Sequence, residues 1–187
     1  MALSAGSIAL GHGSHASARN LAFRRDIFER IEGYGDMIKI ISGDDTLLLH
    51  RIQRISKRSI VTEWDKSTHV YSNSPENFKS FFRQRIRHMS TGKYFDPMLI
   101  GIGFIVYFFH FLIFTLFILS LISTYAFILF IIAFLGKITV DCLVALRTKA
   151  IFGLEVQWKR FVINELFLTG YMAVMPILGL ITPVKWK

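Results

Sequence analysis

Two adjacent carboxylates, Asp44 and Asp45, follow Ser42-Gly43 and precede the run Thr46-Leu47-Leu48-Leu49. An aspartate at the start of a helix is favoured there by the unpaired backbone N–H groups and the positive end of the helix dipole. Capping requires one carboxylate, and two are present. If Asp44 caps, Asp45 can point elsewhere and take a proton from a hydroxyl group as a general base. About forty residues later comes Gln84-Arg85-Ile86-Arg87-His88. A guanidinium is a planar fork able to hold two phosphate oxygens at once. Gln84, one helical turn before Arg87, can add a hydrogen bond from the same face. Arg83 and Arg85 carry the same charge as Arg87, and charge alone does not separate the three.

The elements that must position these groups fall into two halves. The chain has 187 residues, 52% of them hydrophobic, and a formal net charge of +9. Residues 1–96 hold 15 Lys/Arg and 10 Asp/Glu in an ordinary soluble composition, whereas Pro97 to Gly136 contains none of the four. About 20 apolar residues cross a bilayer. Three spans are expected, over 98–119, 126–146 and 161–181, with Asp96-Pro97 starting the first through a capping Asp and Pro at the first helical position. Basic residues flank the near ends of these spans, which places residues 1–96 and the loop 147–160 in the cytoplasm; Lys185 and Lys187 count against that orientation. Lys137 and Asp141, four apart within the second span, are expected to pair on one face.

Within the first half, Ala18–Arg24, Ser59–Glu63 and Thr68–Tyr71 read as short strands. Gly6–Ser17 reads as loop, and the N-terminus lacks the basic region of a signal peptide. Asp44–Ser56 reads as a helix with Leu47, Leu48, Ile52 and Ile55 on one face. Glu76 to about Gly92 is an amphipathic helix: Phe78, Phe81, Phe82, Ile86 and Met89 share a face edged by Lys79, Arg83, Arg85, Arg87 and Lys93. Such a helix beside a span suits the headgroup layer, with its cations at lipid phosphates. His12 and His15 have no further ligand at a metal spacing, so no metal site is assigned. The single Cys142 excludes an internal disulfide. The positive charge gathers beside the membrane, where anionic lipid is the nearer partner, so no nucleic-acid partner is expected.

Three stretches occur in order: Asn20-Leu21-Ala22-Phe23-Arg24-Arg25, Ser42-Gly43-Asp44-Asp45, and Gln84-x-x-Arg87 before a membrane span. This order resembles the C-terminal half of a membrane-bound family 2 glycosyltransferase, the group that includes cellulose, chitin and hyaluronan synthases and smaller bacterial enzymes. The resemblance implies an α+β membrane protein: a partial GT-A-like cytoplasmic segment, an amphipathic interfacial helix and three transmembrane helices. Residues 1–75 would be the acceptor side of the catalytic domain, 76–96 the interface helix, and 97–187 the membrane domain of an integral protein of the cell (inner) membrane.

By the same resemblance Asp45 is the catalytic base. Asp44, Gln84, Arg87, His88 and Asn20 bind substrate, with Asn20 on the acceptor side. The implied partners are a nucleotide-sugar donor, a sugar or lipid-linked acceptor, and membrane lipids. Two departures stand out. His88 occupies the position of the family's tryptophan, which favours single-sugar addition over polymer synthesis. Glu32-Gly33-Tyr34 stands where Gly-Gly-aromatic is common. The family's metal-binding Asp-x-Asp is absent, so the divalent cation (Mg or Mn) of a complete enzyme would have its ligands outside this chain, which reads as a fragment inactive alone. The alternative is a non-enzymatic membrane anchor or assembly protein, in which the acidic pair only caps a helix.

Overall fold

The computed structural model describes residues 2–40, 42–55, 60–63, 65–68, 70, 72–73, 75–153 and 155–182. Seven α-helices occur among them: α1 (Ala2–Ala9), α2 (Arg25–Arg30), α3 (Asp44–Ile55), α4 (Phe78–Ser90), α5 (Pro97–Leu119), α6 (Thr124–Phe152) and α7 (Trp158–Ile181). The chain forms two compact units, one built on Met1–Ile100 and the other on Gly101–Leu180.

No strand occurs among the described residues, which overturns the expected α+β class. Ser17 and Leu21 do adopt extended dihedrals, but Ala18–Asn20 between them is a turn of 3-10 helix. The Asn20 N–H is spent on the Ser17 carbonyl and the Ala18 N–H on an Asp45 carboxylate. A strand needs a neighbouring backbone to receive those groups, and here a side chain takes that role. Residues 60–63 are irregular, Lys66–Thr68 is another 3-10 turn, and Ser59, His69 and Tyr71 of the expected strands lie outside the described residues. The Gly6–Ser17 loop is likewise partly helical, since α1 runs to Ala9.

The core of the first unit explains why α3 forms where it does. Leu47 and Leu48 pack with Ile31 and Met37, and Leu21, Phe28, Tyr34, Ile52 and Phe95 close around them. Leu49 turns the other way, beneath Gly13. Ile55, read as sharing a face with Leu47, Leu48 and Ile52, is exposed where the helix ends. Burying side chains of this size contributes about 1.5–3 kcal/mol each, so the apolar run after the acidic pair anchors the head of α3.

In the second unit, α5, α6 and α7 are each long and apolar enough to span a membrane, as expected. At 1.5 Å per residue, α6 is about 43 Å long, more than the roughly 30 Å hydrocarbon layer. It carries Arg147 and Lys149 on helix rather than in a loop and ends at Gly153, whose φ of 64° gives a left-handed cap. Ile113, Phe130 and Phe134 form the buried contact between α5 and α6. Lys137 is buried; its Nζ donates to Asp141 at 2.7 Å and also to Glu165 of α7. The pairing with Asp141 was legible from its spacing, whereas Glu165 was not singled out.

Candidate active site

The acidic pair sits on the first turn of α3, which begins with the Leu47 N–H donating to the Gly43 carbonyl at 2.9 Å. Gly43 has a φ of 83°, a conformation glycine adopts without the steric cost borne by other residues. Asp44 is exposed. Asp45 is half-buried and takes the backbone donors: its Oδ1 accepts the Thr46 N–H at 2.7 Å, and its Oδ2 accepts the Ala18 N–H at 2.9 Å. The division of labour expected of the pair is thus reversed, with Asp45 tied to backbone and Asp44 facing solvent. A carboxylate has about four lone-pair sites, so two amide contacts leave Asp45 able to accept a further hydrogen bond.

Thr46 and His15 were not singled out for this site. The Thr46 hydroxyl is fully buried; its Oγ1 lies 3.0 Å from His15 Nδ1 and accepts the Ala16 N–H at 3.3 Å. Together with Asp45 it pins the segment 15–18 across the head of α3. The visible signal was a β-branched hydroxyl residue directly after the acidic pair. The same segment leads to Asn20, which is exposed and donates from Nδ2 to the Thr68 carbonyl at 2.8 Å. Arg19 reaches Ser72 Oγ at 2.6 Å. Asn20 is therefore two residues from the amide that holds Asp45, and its own side chain ties down the following loop.

Helix α4 starts with a capping box: Asn77 Oδ1 accepts the Ser80 N–H at 2.9 Å, and Ser80 Oγ accepts the Asn77 N–H at 3.3 Å. Its far end reaches the acidic loop. A β-carbon added to Gly43 would stand 3.0 Å from Cγ2 of Thr91, which is buried and donates from its hydroxyl to the His88 carbonyl at 2.6 Å. Counting back from Thr91 in helical steps gives Arg87 and Gln84, both half-buried, whereas Lys79, Arg83 and Arg85 are exposed. The three arginines that charge could not distinguish are separated by burial. Arg87 is the one of the three that lies one helical turn before Thr91, at the end of α4 that meets the acidic loop.

His88 follows on the same end of α4. Burial of part of its ring, then the positive charges of Arg87 and Arg85, hold the imidazole below its ordinary value; the Asp45 carboxylate opposes this, and His15 adds a small push in the same direction as the arginines. The field of Asp45 reaching His88 is a second sign that the acidic loop and the Gln-x-x-Arg helix meet. No three His, Cys, Asp or Glu side chains converge to hold a metal among the described residues. These residues do not fit a divalent cation, and no step below uses one.

A partly buried carboxylate, one partly buried guanidinium and an imidazole lie on the two helix ends that meet, on a chain with three membrane-length helices among the described residues. A family model described as glycosyl transferase family group 2 matches residues 5–146, well over half of the chain, and the protein belongs to that family. No curated protein and no solved structure matches it.

Proposed function

We propose that this protein takes part in inverting transfer of a sugar from a nucleotide-diphosphate sugar to a hydroxyl acceptor at the cytoplasmic face of the cell membrane. Asp45 removes the proton as the acceptor oxygen attacks the anomeric carbon. Arg87 stabilises the charge that grows on the departing diphosphate, and Gln84 orients it from one turn earlier. Asp44 and His88 border the acceptor, and Asn20 lies on its far side. A histidine at position 88 offers a smaller ring than tryptophan for stacking on a sugar, which favours addition of one residue over processive synthesis.

The observation that supports this reading is the contact between Gly43 and Thr91, which brings the end of α4 to the head of α3, with Arg87 partly buried one turn before Thr91 and Arg83 and Arg85 exposed. The test is transfer of radiolabelled sugar from a panel of nucleotide sugars in membranes of cells carrying the gene at its native locus. Incorporation that requires the gene supports the reading, and identical incorporation after its deletion refutes it.

One observation favours the non-enzymatic alternative. Both oxygens of Asp45 accept backbone amides, which is what a purely structural aspartate would do. Substitutions that leave the fold intact separate the two readings.

A further inference from the structure

We propose that two copies of this chain associate through α5, with the Tyr107 hydroxyl of each donating a hydrogen bond to Nε2 of the partner's His110. Helix α5 runs for 23 residues without a charged side chain. At 1.5 Å per residue, Tyr107 and His110 stand about 15 and 20 Å from its start, in the middle of a hydrocarbon layer of roughly 30 Å. His110 Nδ1 lies 2.8 Å from the Val106 carbonyl oxygen. A carbonyl only accepts, so Nδ1 carries the hydrogen, and Nε2 of the neutral ring is left as an acceptor. Neither that nitrogen nor the Tyr107 hydroxyl has a hydrogen-bond partner among the described residues. Other polar side chains of the spans are satisfied within the chain. Thr115, Thr139 and Thr169 donate to carbonyls of their own helices, and Lys137 is held by Asp141 and Glu165. Lipid tails offer neither donor nor acceptor, so a hydroxyl and an imidazole nitrogen at that depth are costly until each meets its complement.

The complement is on α5 itself. Donor and acceptor stand one helical turn apart on one side of the helix, about 4.5 Å in rise, which a tyrosine side chain spans. A parallel copy related by a twofold axis offers an acceptor to each donor, and the pair gains two identical bonds, as an isologous interface does. The rings of Phe104, Phe108 and Phe111 pack around that of Tyr107 at centroid distances of 6.3, 5.6 and 5.8 Å. They hold the phenol in place before association, which lowers the cost of ordering it. Gly103 continues the stripe one turn earlier. A β-carbon there would meet nothing within 4 Å, so a second backbone can come close. The chain's own helices leave this part of α5 open. Helix α6 packs on Ile113, the one buried residue of α5, and Gly170 of α7 comes to Phe114, beyond it.

The test is cysteine cross-linking of the full chain in membranes, with Cys142→Ser removing the native thiol. Gly103→Cys should form a disulfide-linked dimer on mild oxidation, while Ile105→Cys, exposed and about 200° round the helix, should not. A hydrogen bond between membrane helices strengthens association by about threefold to thirtyfold, and the dimer has two. Tyr107→Phe or His110→Phe, added to the Gly103→Cys chain, should therefore cut cross-linking by about tenfold or more. Co-expression of these two variants, one carrying a size tag, separates a lost bond from a misfolded chain. The mixed pair regains one bond and like pairs have none, so mixed dimers should predominate. Equal cross-linking at positions 103 and 105, undiminished dimers in the single variants, or no preference for the mixed pair overturns the proposal. A cross-link from position 103 to a different protein in place of a second copy overturns it as well.

Discussion

Gly43 and Thr91 touch closely enough that a β-carbon on the first would stand 3.0 Å from Cγ2 of the second. This contact joins the acidic loop to the end of the basic helix, and Gly43 holds it with a φ of 83°. An alanine there suffers twice, from left-handed backbone, at roughly 1–2 kcal/mol, and from the threonine methyl. Gly43→Ala should lower the thermal midpoint of the purified protein in detergent, and Thr91→Ser, which removes the methyl, should return part of the loss. No change on Gly43→Ala would mean that the two helix ends do not meet.

Glu32 is strained in the opposite sense. It has a φ of 60°, the one positive value among the described non-glycine residues, and Gly33 beside it also has 60°. Glycine takes such a conformation without the steric cost that a side chain brings. Glu32→Gly should raise stability by about 1 kcal/mol, read as a higher unfolding midpoint with the site unaltered. A lower midpoint would contradict the conformation assigned to this turn.

His50 makes stability depend on pH. Burial holds its imidazole below the ordinary value, opposed by the backbone of Ser14 and Gly13 and by Asp96; its Nε2 is buried without a hydrogen-bond partner, and its ring stands edge-on to Phe95 at 5.5 Å. The folded state thus binds the proton less readily than the unfolded chain. This contribution is complete above an unfolded value of about 6.5 and is lost as pH falls through the lower folded value. The thermal midpoint should drop on acidification below about pH 6.5, and His50→Phe should flatten that drop. An unchanged pH profile in the variant would assign the dependence to other groups, His88 first among them.

Lys137 pairs with a carboxylate on each of two helices, Asp141 on its own and Glu165 on α7. Removing one partner of a buried ion pair costs about 3–5 kcal/mol, while removing both costs less. Lys137→Leu should therefore loosen α7, seen as faster proteolysis and a lower midpoint in detergent. Lys137→Leu/Glu165→Leu should recover much of the difference. Equal stability of the single variant and the parent chain would show that the pair contributes nothing to packing α7.

What could be read from the sequence followed what repeats locally. The three apolar spans, the Lys137–Asp141 pair and α4 are all set by helical spacing or by long uncharged runs, and each stands in the structure. Among the described residues no strand formed. Extended dihedrals at Ser17 and Leu21 are a local property, but pairing is a long-range one, and the Ala18 amide found Asp45 first. Glu165 escaped attention because its partner lies 28 residues away on another helix. In the site, the acidic pair and Gln84-x-x-Arg87 were visible as motifs. The meeting of the acidic loop with the end of α4 depends on the left-handed turn at Gly43 and the small contact at Thr91, which no periodicity announces.

The role of Asp45 is tested most directly by Asp45→Asn at the native locus, with radiolabelled sugar transfer measured in the isolated membranes and Asp44→Asn alongside. Because the amide would turn a donor toward either the Ala18 or the Thr46 N–H, hydrogen exchange of Ala16–Asn20 should accompany the assay to separate lost chemistry from a displaced segment. With that segment's exchange unaltered, the account predicts a fall in transfer of at least about a hundredfold for Asp45→Asn and a far smaller change for Asp44→Asn. Transfer by Asp45→Asn at the parent rate would contradict it, leaving position 45 as a structural tie and nothing more.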